Sequence, residues 1–197
     1  MISFEKPEYK ITESNESNHY AQFVLEPLER GFGTTIGNAL RRVMLNSLPG
    51  SAVTSIKIDG VMHEFQKIDG VVEDVTSIIL NLKSVVIKNH THEDKKIHLY
   101  ADKEGVVKAG DIEVDADLEI VNPDLVICNL VQGGKIDMEM TVGCGRGYVD
   151  SKENKKILGD TVQGLIPIDS LYSPIERVAY EVEGARVGHN ENYDKLI

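Results

Sequence analysis

Residues 25–50 read Leu25-Glu-Pro-Leu-Glu-Arg-Gly-Phe-Gly-Thr-Thr-Ile-Gly-Asn-Ala-Leu-Arg-Arg-Val-Met-Leu-Asn-Ser-Leu-Pro-Gly50. This stretch predicts a strand over residues 19–28, closed by Pro27, and then a glycine-rich turn at Arg30-Gly31-Phe32-Gly33. A helix follows, capped by Thr34 or Thr35, running to about Leu48 and stopped by Pro49-Gly50. Ile36, Ala39, Leu40, Val43, Met44 and Leu48 recur at spacings of three and four, which is one face of an amphipathic helix. At about 100° per residue, Ile36, Leu40, Val43 and Ser47 centre that face, and Leu45 lies opposite, between Arg41 and Arg42 with Asn38 close by. A leucine bracketed by two arginines is a fair anchor composition for a protein interface, though a lone exposed leucine is ordinary.

A glycine-rich turn between strand and helix is where phosphate loops sit. Here the spacing is wrong: Gly31-Phe-Gly33-Thr-Thr-Ile-Gly37 is neither GxGxxG nor GxxxxGK[ST], and no lysine follows. A tight turn is the better reading, and an enzyme built on that turn is kept only as a distant alternative.

Beyond it, Ser55–Ile58 and Val61–Phe65 flank Asp59-Gly60, a pair suited to a two-residue hairpin. A second amphipathic helix is expected from Asp69-Gly70 to about Lys83, with Val71, Val72, Val75, Ile78, Ile79 and Leu82 inward and Leu80 opposite, beside Thr76 and Glu73. Residues 84–150 read as β-rich. Residues 136–142 alternate strictly, and 118–121 and 125–128 are strand candidates around Asn122-Pro123. Gly143-Cys144-Gly145-Arg146-Gly147 suits a bulge or bend at a strand end. Residues 150–160 read as a polar loop, Val178, Tyr180 and Val182 as a late strand, and Tyr193–Ile197 as a further strand, cut short.

Composition excludes several classes. The 197 residues are 41% hydrophobic and 27% charged, as in globular proteins. No apolar run reaches the roughly 18 residues of a membrane helix and no signal peptide is evident, so a soluble cytoplasmic protein is expected. The net charge is −11, and residues 101–150 contain four basic against eleven acidic side chains. Autonomous DNA binding needs a basic footprint, which is missing, and without Trp the scattered aromatics make no stacking platform. Cys128 and Cys144 lack CxxC spacing and read as reduced thiols. Three chemical constellations are weak. Cys144 as a nucleophile lacks an evident base. His90-Thr91-His92, with His98, reads as a solvated turn before it reads as a metal site. The run Asp111-Ile-Glu113-Val-Asp115-Ala-Asp117 has the composition of a calcium loop without its register, and reads as a strand with an acidic face. No cofactor, metal or catalytic residue is expected.

Leu25 to Arg42 resembles the signature of the N-terminal domain of the bacterial DNA-directed RNA polymerase α subunit. Ile58-Asp-Gly-Val-Met-His-Glu-Phe65, Glu73-Asp74, Leu80-Asn-Leu-Lys83, Gly145-Arg-Gly-Tyr-Val149 and Tyr172-Ser-Pro-Ile-Glu-Arg-Val-Ala-Tyr180 continue the resemblance in order. It implies an α+β fold: a dimerisation subdomain with a mostly antiparallel sheet and helices over 1–49 and 170–197, interrupted by an inserted β-rich subdomain over 50–169. It implies a non-catalytic assembly scaffold of a nucleotidyltransferase, acting in transcription, which forms a homodimer and recruits the β and then the β′ subunit. By motif, Arg41, Arg42 and Leu45 are expected to face β. Leu80, Lys83, Ile168 and Asp169 are expected to face β′, and Phe32, Ile36 and Val43 the twin subunit. Relatives continue with a further strand, a long helix and a DNA-binding domain, so the chain is expected to be a piece of a longer protein without direct DNA contact. The lysines of 151–160 stand where some relatives carry an acidic activator-contact loop, so that role does not carry over.

Overall fold

The computed structural model describes residues 6–91, 93–159 and 163–197. In chain order the elements are β1 (Glu8–Asn15), β2 (Tyr20–Glu29), α1 (Phe32–Asn46), β3 (Pro49–Ile58), α2 (Val75–Leu82), β4 (Ile87–Asn89), β5 (Lys95–Ala101), β6 (Gly105–Lys108), β7 (Leu118–Ile120), β8 (Val126–Leu130), β9 (Ile136–Arg146), β10 (Tyr148–Val149), α3 (Ser151–Leu158), β11 (Leu165–Pro167), β12 (Ser170–Leu171), β13 (Val182–Val187) and β14 (Asn190–Leu196). Every strand pairing is antiparallel, so the class is α+β. The chain divides into two units, Met1–Ser47 with Ile175–Ile197, and Leu48–Pro174, against boundaries expected from sequence at 49/50 and 169/170.

The first unit is a four-stranded sheet, ordered β1-β2-β14-β13, with α1 against it. Its apolar burial is sparse. Among the described residues only Val24, Leu28 and Leu196 are buried apolar side chains. β2 runs through Pro27 to Glu29 instead of closing there. Leu25 pairs with Leu196 and Leu28 with Asp194 across a register shift in β14, so the missing proline N–H falls at a gap in the ladder. The late strand starts at Val182, not Val178. Residues 174–181 form no strand, and Glu181, just before β13, exchanges backbone hydrogen bonds with Ile197.

The second unit holds the large core. β3 pairs from end to end with residues 138–146 of β9 inside a sheet ordered β5-β9-β3-β4-β7, with β11 also on β3. Ile136, Met138, Met140 and Val142 are buried while the residues between them are not, as strict alternation demands. α2 lays Val75, Ile78, Ile79 and Leu82 into the same core. Each such side chain stabilises the fold by roughly 1.5–3 kcal/mol through apolar burial.

Several expectations fail here for local reasons. The Asp59-Gly60 turn forms, with Val61 N donating to Ile58 O. No hairpin follows, because both edges of β3 are already used, by β9 on one side and by β4 and β11 on the other. Residues 61–65 form a loop, in which the Gln66 side chain accepts from the amides of Met62 and His63. α2 starts at Val75 because Asp74 is its cap, accepting from Ser77 N at 2.8 Å. Val71 and Val72 bond to the β8 backbone instead.

Residues 151–158 form a helix where a loop was expected. Asp150 accepts from Glu153 N, and buried Asn154 donates to Ile168 O and to Ser170 Oγ. The acidic run 111–117 is not a strand, and only Glu113 bridges to His98. The glycines of 143–145 do not break β9. Tyr172 lies across them, and a Cβ at Gly145 would stand 2.7 Å from its ring.

Candidate interaction surfaces

α1 meets its own sheet through glycine. Gly33 and Gly37 are its only fully buried residues. A Cβ on Gly33 would stand 2.6 Å from Val182 Cγ1, and one on Gly37 would stand 2.5 Å from the Tyr180 ring. Both distances are shorter than a side chain tolerates, so the close approach of helix to sheet depends on these two residues. On a helical wheel they lie at roughly 60° and 100° from Ile36. Met44, half-buried, shares that side.

The apolar stripe predicted from sequence points elsewhere. Phe32 is 52% exposed, Leu40 46% and Val43 49%, with Ile36 half-buried. The unit's own sheet covers the glycine side of the helix and leaves most of the stripe, including Phe32 and Val43, in the open. Arg41 and Arg42 are exposed and form no ion pair among the described residues, whereas Leu45 between them is half-buried.

The helix start also differs from expectation. Neither Thr34 nor Thr35 caps it. Gly31 is the N-cap residue, at φ +87°, and carries no capping side chain. The acceptor is the Asp194 carboxylate on β14, whose Oδ2 accepts from Gly31 N at 2.8 Å and Gly33 N at 3.1 Å. Thr35 Oγ1 donates back to Gly31 O inside the first turn. A phosphate at this turn would need the ground that Asp194 holds, which argues against the ligand-binding alternative.

The second surface lies on the second unit. Lys83, at the C-terminal end of α2, donates to Asp169 Oδ2 at 2.7 Å, while Asp169 Oδ1 accepts from Ser151 N at 2.9 Å. The hydrogen bond from Lys83 holds the Asp169 carboxyl down to about 2, and bonds from Ser151 and Tyr148 act in the same direction. Leu80 is 58% exposed on α2. Ile168 departs from the expected picture: it is 2% exposed and belongs to the core, so it places Asp169 but offers no side chain to a partner. Sequence reasoning missed Tyr148 and Leu171. They are directly paired across β10 and β12, and both are more than half exposed. Tyr148 stood inside a quoted motif, but nothing in its spacing marked it as exposed.

The weaker chemical candidates stay apart. Cys128 is buried and its thiol is pushed up to about 12, chiefly by that burial, so it is inert as a nucleophile. Cys144 Sγ faces Ser51 Oγ and Asn89 Nδ2, neither of them a base. His98 meets Asp137 through Nε2 at 2.8 Å and Glu113 through Nδ1 at 3.7 Å, so the two carboxylates sit on opposite ring nitrogens. His92 lies outside the described residues. Among the described residues no group of three or more side chains could hold a metal ion, and no helix is long and apolar enough to cross a membrane.

A sequence profile of the family described as RNA polymerase Rpb3/RpoA insert domain matches residues 56–173. Proteins named DNA-directed RNA polymerase subunit alpha match the whole chain. They are 57% identical in Desulfitobacterium hafniense, 55% in Desulforamulus reducens and 56% in Symbiobacterium thermophilum, each over 196 residues. The chain spans 62% of the length of each of these relatives.

Proposed function

The chain belongs to the RNA polymerase Rpb3/RpoA insert domain family, and on that premise we propose that it is a non-catalytic assembly scaffold of a DNA-directed RNA polymerase, acting in transcription in the cytoplasm. A second copy covers the apolar stripe of α1, with Phe32, Ile36 and Val43 in the contact and Leu40 beside them. Arg41 and Arg42, with Leu45 at their base, meet the β subunit. Leu80, Lys83 and Asp169, set in place by Ile168, meet β′. The net charge of −11 supports a role without direct DNA contact.

The observation that carries this reading is the exposed stripe. A helix with three large apolar residues about half exposed, on a unit with three buried apolar side chains among those described, presents contact area for another molecule. Arginines flanking a leucine on the opposite side of the same helix suit a second, anchored interface.

Co-expression with the β subunit, followed by light scattering on a sizing column, tests the assignment. A complex of two copies of this chain with one β is expected. Arg42→Ala is expected to leave the melting temperature unchanged and to weaken β binding by about 2–4 kcal/mol, the scale of an interface hot spot. Unchanged β affinity in that variant contradicts the role given to Arg42, and absence of any complex contradicts the scaffold reading.

A further inference from the structure

The N-terminus of α1 has no local cap. Its first turn contains no acidic residue, and Gly31 has no side chain to fold back. A single oxygen on β14, 163 residues further along the chain from Gly31, accepts from two of the orphan amides. That oxygen is charged and stands at the positive end of a 15-residue helix, where charge-assisted bonds are strongest. The approach is tight: a Cβ on Gly33 would lie 3.1 Å from the same oxygen. Leu28, the β2 partner of Asp194, is buried, so the carboxylate is held on a packed part of the sheet and not on a loose end.

We propose that Asp194 is the positioning residue of the α1 surface. Its carboxylate is the internal anion that holds the Gly31–Gly33 turn, and with it the direction in which Phe32, the apolar stripe and the two arginines are presented. The proposal rests on the reading of α1 as a binding helix. Its consequence is specific: truncating Asp194 vacates an anion site lined by two amides at a helix N-terminus, and a free carboxylate can refill it.

The experiment uses the full chain. Hydrogen exchange is followed at the Gly31 and Gly33 amides, with formate as the added carboxylate. In Asp194→Ala these amides should exchange at least about tenfold faster, the loss expected for a charge-assisted hydrogen bond. Self-association should weaken alongside. Formate should slow exchange at the two amides and raise the melting temperature of the variant, and should do neither in the parent. Asp194→Asn, similar in shape and uncharged, carries the test if the alanine variant does not fold; its two amides should exchange several-fold faster than the parent's.

Parent-like exchange in both variants overturns the proposal. So does loss of protection in Asp194→Ala that formate does not restore. A monomeric parent with protected Gly31 and Gly33 amides would sink the binding reading of α1 and leave the capping role of Asp194 standing. A self-associating parent whose Asp194 variants keep both affinity and protection would sink the proposal alone.

Discussion

Two amphipathic helices of this protein, α1 and α2, use the same kind of pattern in opposite ways. α2 buries its apolar stripe, Val75, Ile78, Ile79 and Leu82, in the core of its own unit, and is capped by its neighbour Asp74. α1 turns glycine toward its own sheet, leaves Phe32, Leu40 and Val43 about half exposed, and takes its cap from Asp194 on a distant strand. Apolar residues at helical spacing show that a face will be covered. They do not say by which molecule. Ordering a residue's backbone costs roughly 1–2 kcal/mol, so a unit with few buried apolar side chains lacks the offsetting term that the second unit has in abundance.

That contrast can be broken by substitution. The largest effect is expected for Leu82→Ala, which empties a site 1% exposed and should destabilise the second unit by about 2–5 kcal/mol in denaturant titration. The equivalent change on α1, Leu40→Ala, should shift monomer stability by no more than about 0.5 kcal/mol, as at ordinary surface positions, and weaken self-association instead. Equal destabilisation by both would erase the distinction between the helices.

Next comes Gly37→Ala. Its new Cβ meets the Tyr180 ring, and a cost of about 1–3 kcal/mol to the first unit is expected, read as earlier loss of α1 protection in hydrogen exchange. An unchanged protection profile would mean that α1 does not depend on glycine for its seat.

A smaller effect concerns the end of α2. Asp169 titrates lower in the folded protein than in the unfolded chain, so its bond with Lys83 stabilises the fold above pH about 4 and is lost as pH falls toward 2. The pair is partly exposed, and solvent screening limits the contribution to about 1 kcal/mol. Lys83→Met should remove this part of the acid dependence of stability. A variant with the parent's acid limb would show that the pair contributes nothing.

Much of this is legible in sequence, and most of the failures depend on distant parts of the chain. The strand–turn–helix of 19–46, the alternation of β9 and the inward face of α2 follow from local periodicity, which residue types report directly. The Asp59-Gly60 turn was legible too, but the hairpin was not decided by it, because strand pairing depends on which edges other strands have taken. Asp194 was invisible as a cap, since nothing in its own neighbourhood refers to a helix so far back in the chain. α3 does carry a local signal: Asp150 followed three residues later by Glu153 is a helix-start signature, set against the polar composition of the segment. Around the candidate surfaces, the placing of Arg41, Arg42 and the stripe on different sides of α1 follows from helical spacing, while the burial of Ile168 and the exposure of Tyr148 depend on the fold.

The central claim is that another copy of the chain covers the stripe of α1. Light scattering on a sizing column, for the parent chain and for Val43→Asp, tests it most directly. The account predicts a parent mass of twice 21.8 kDa and a folded variant at 21.8 kDa. A folded parent at 21.8 kDa, or a Val43→Asp variant that associates as well as the parent, would contradict it.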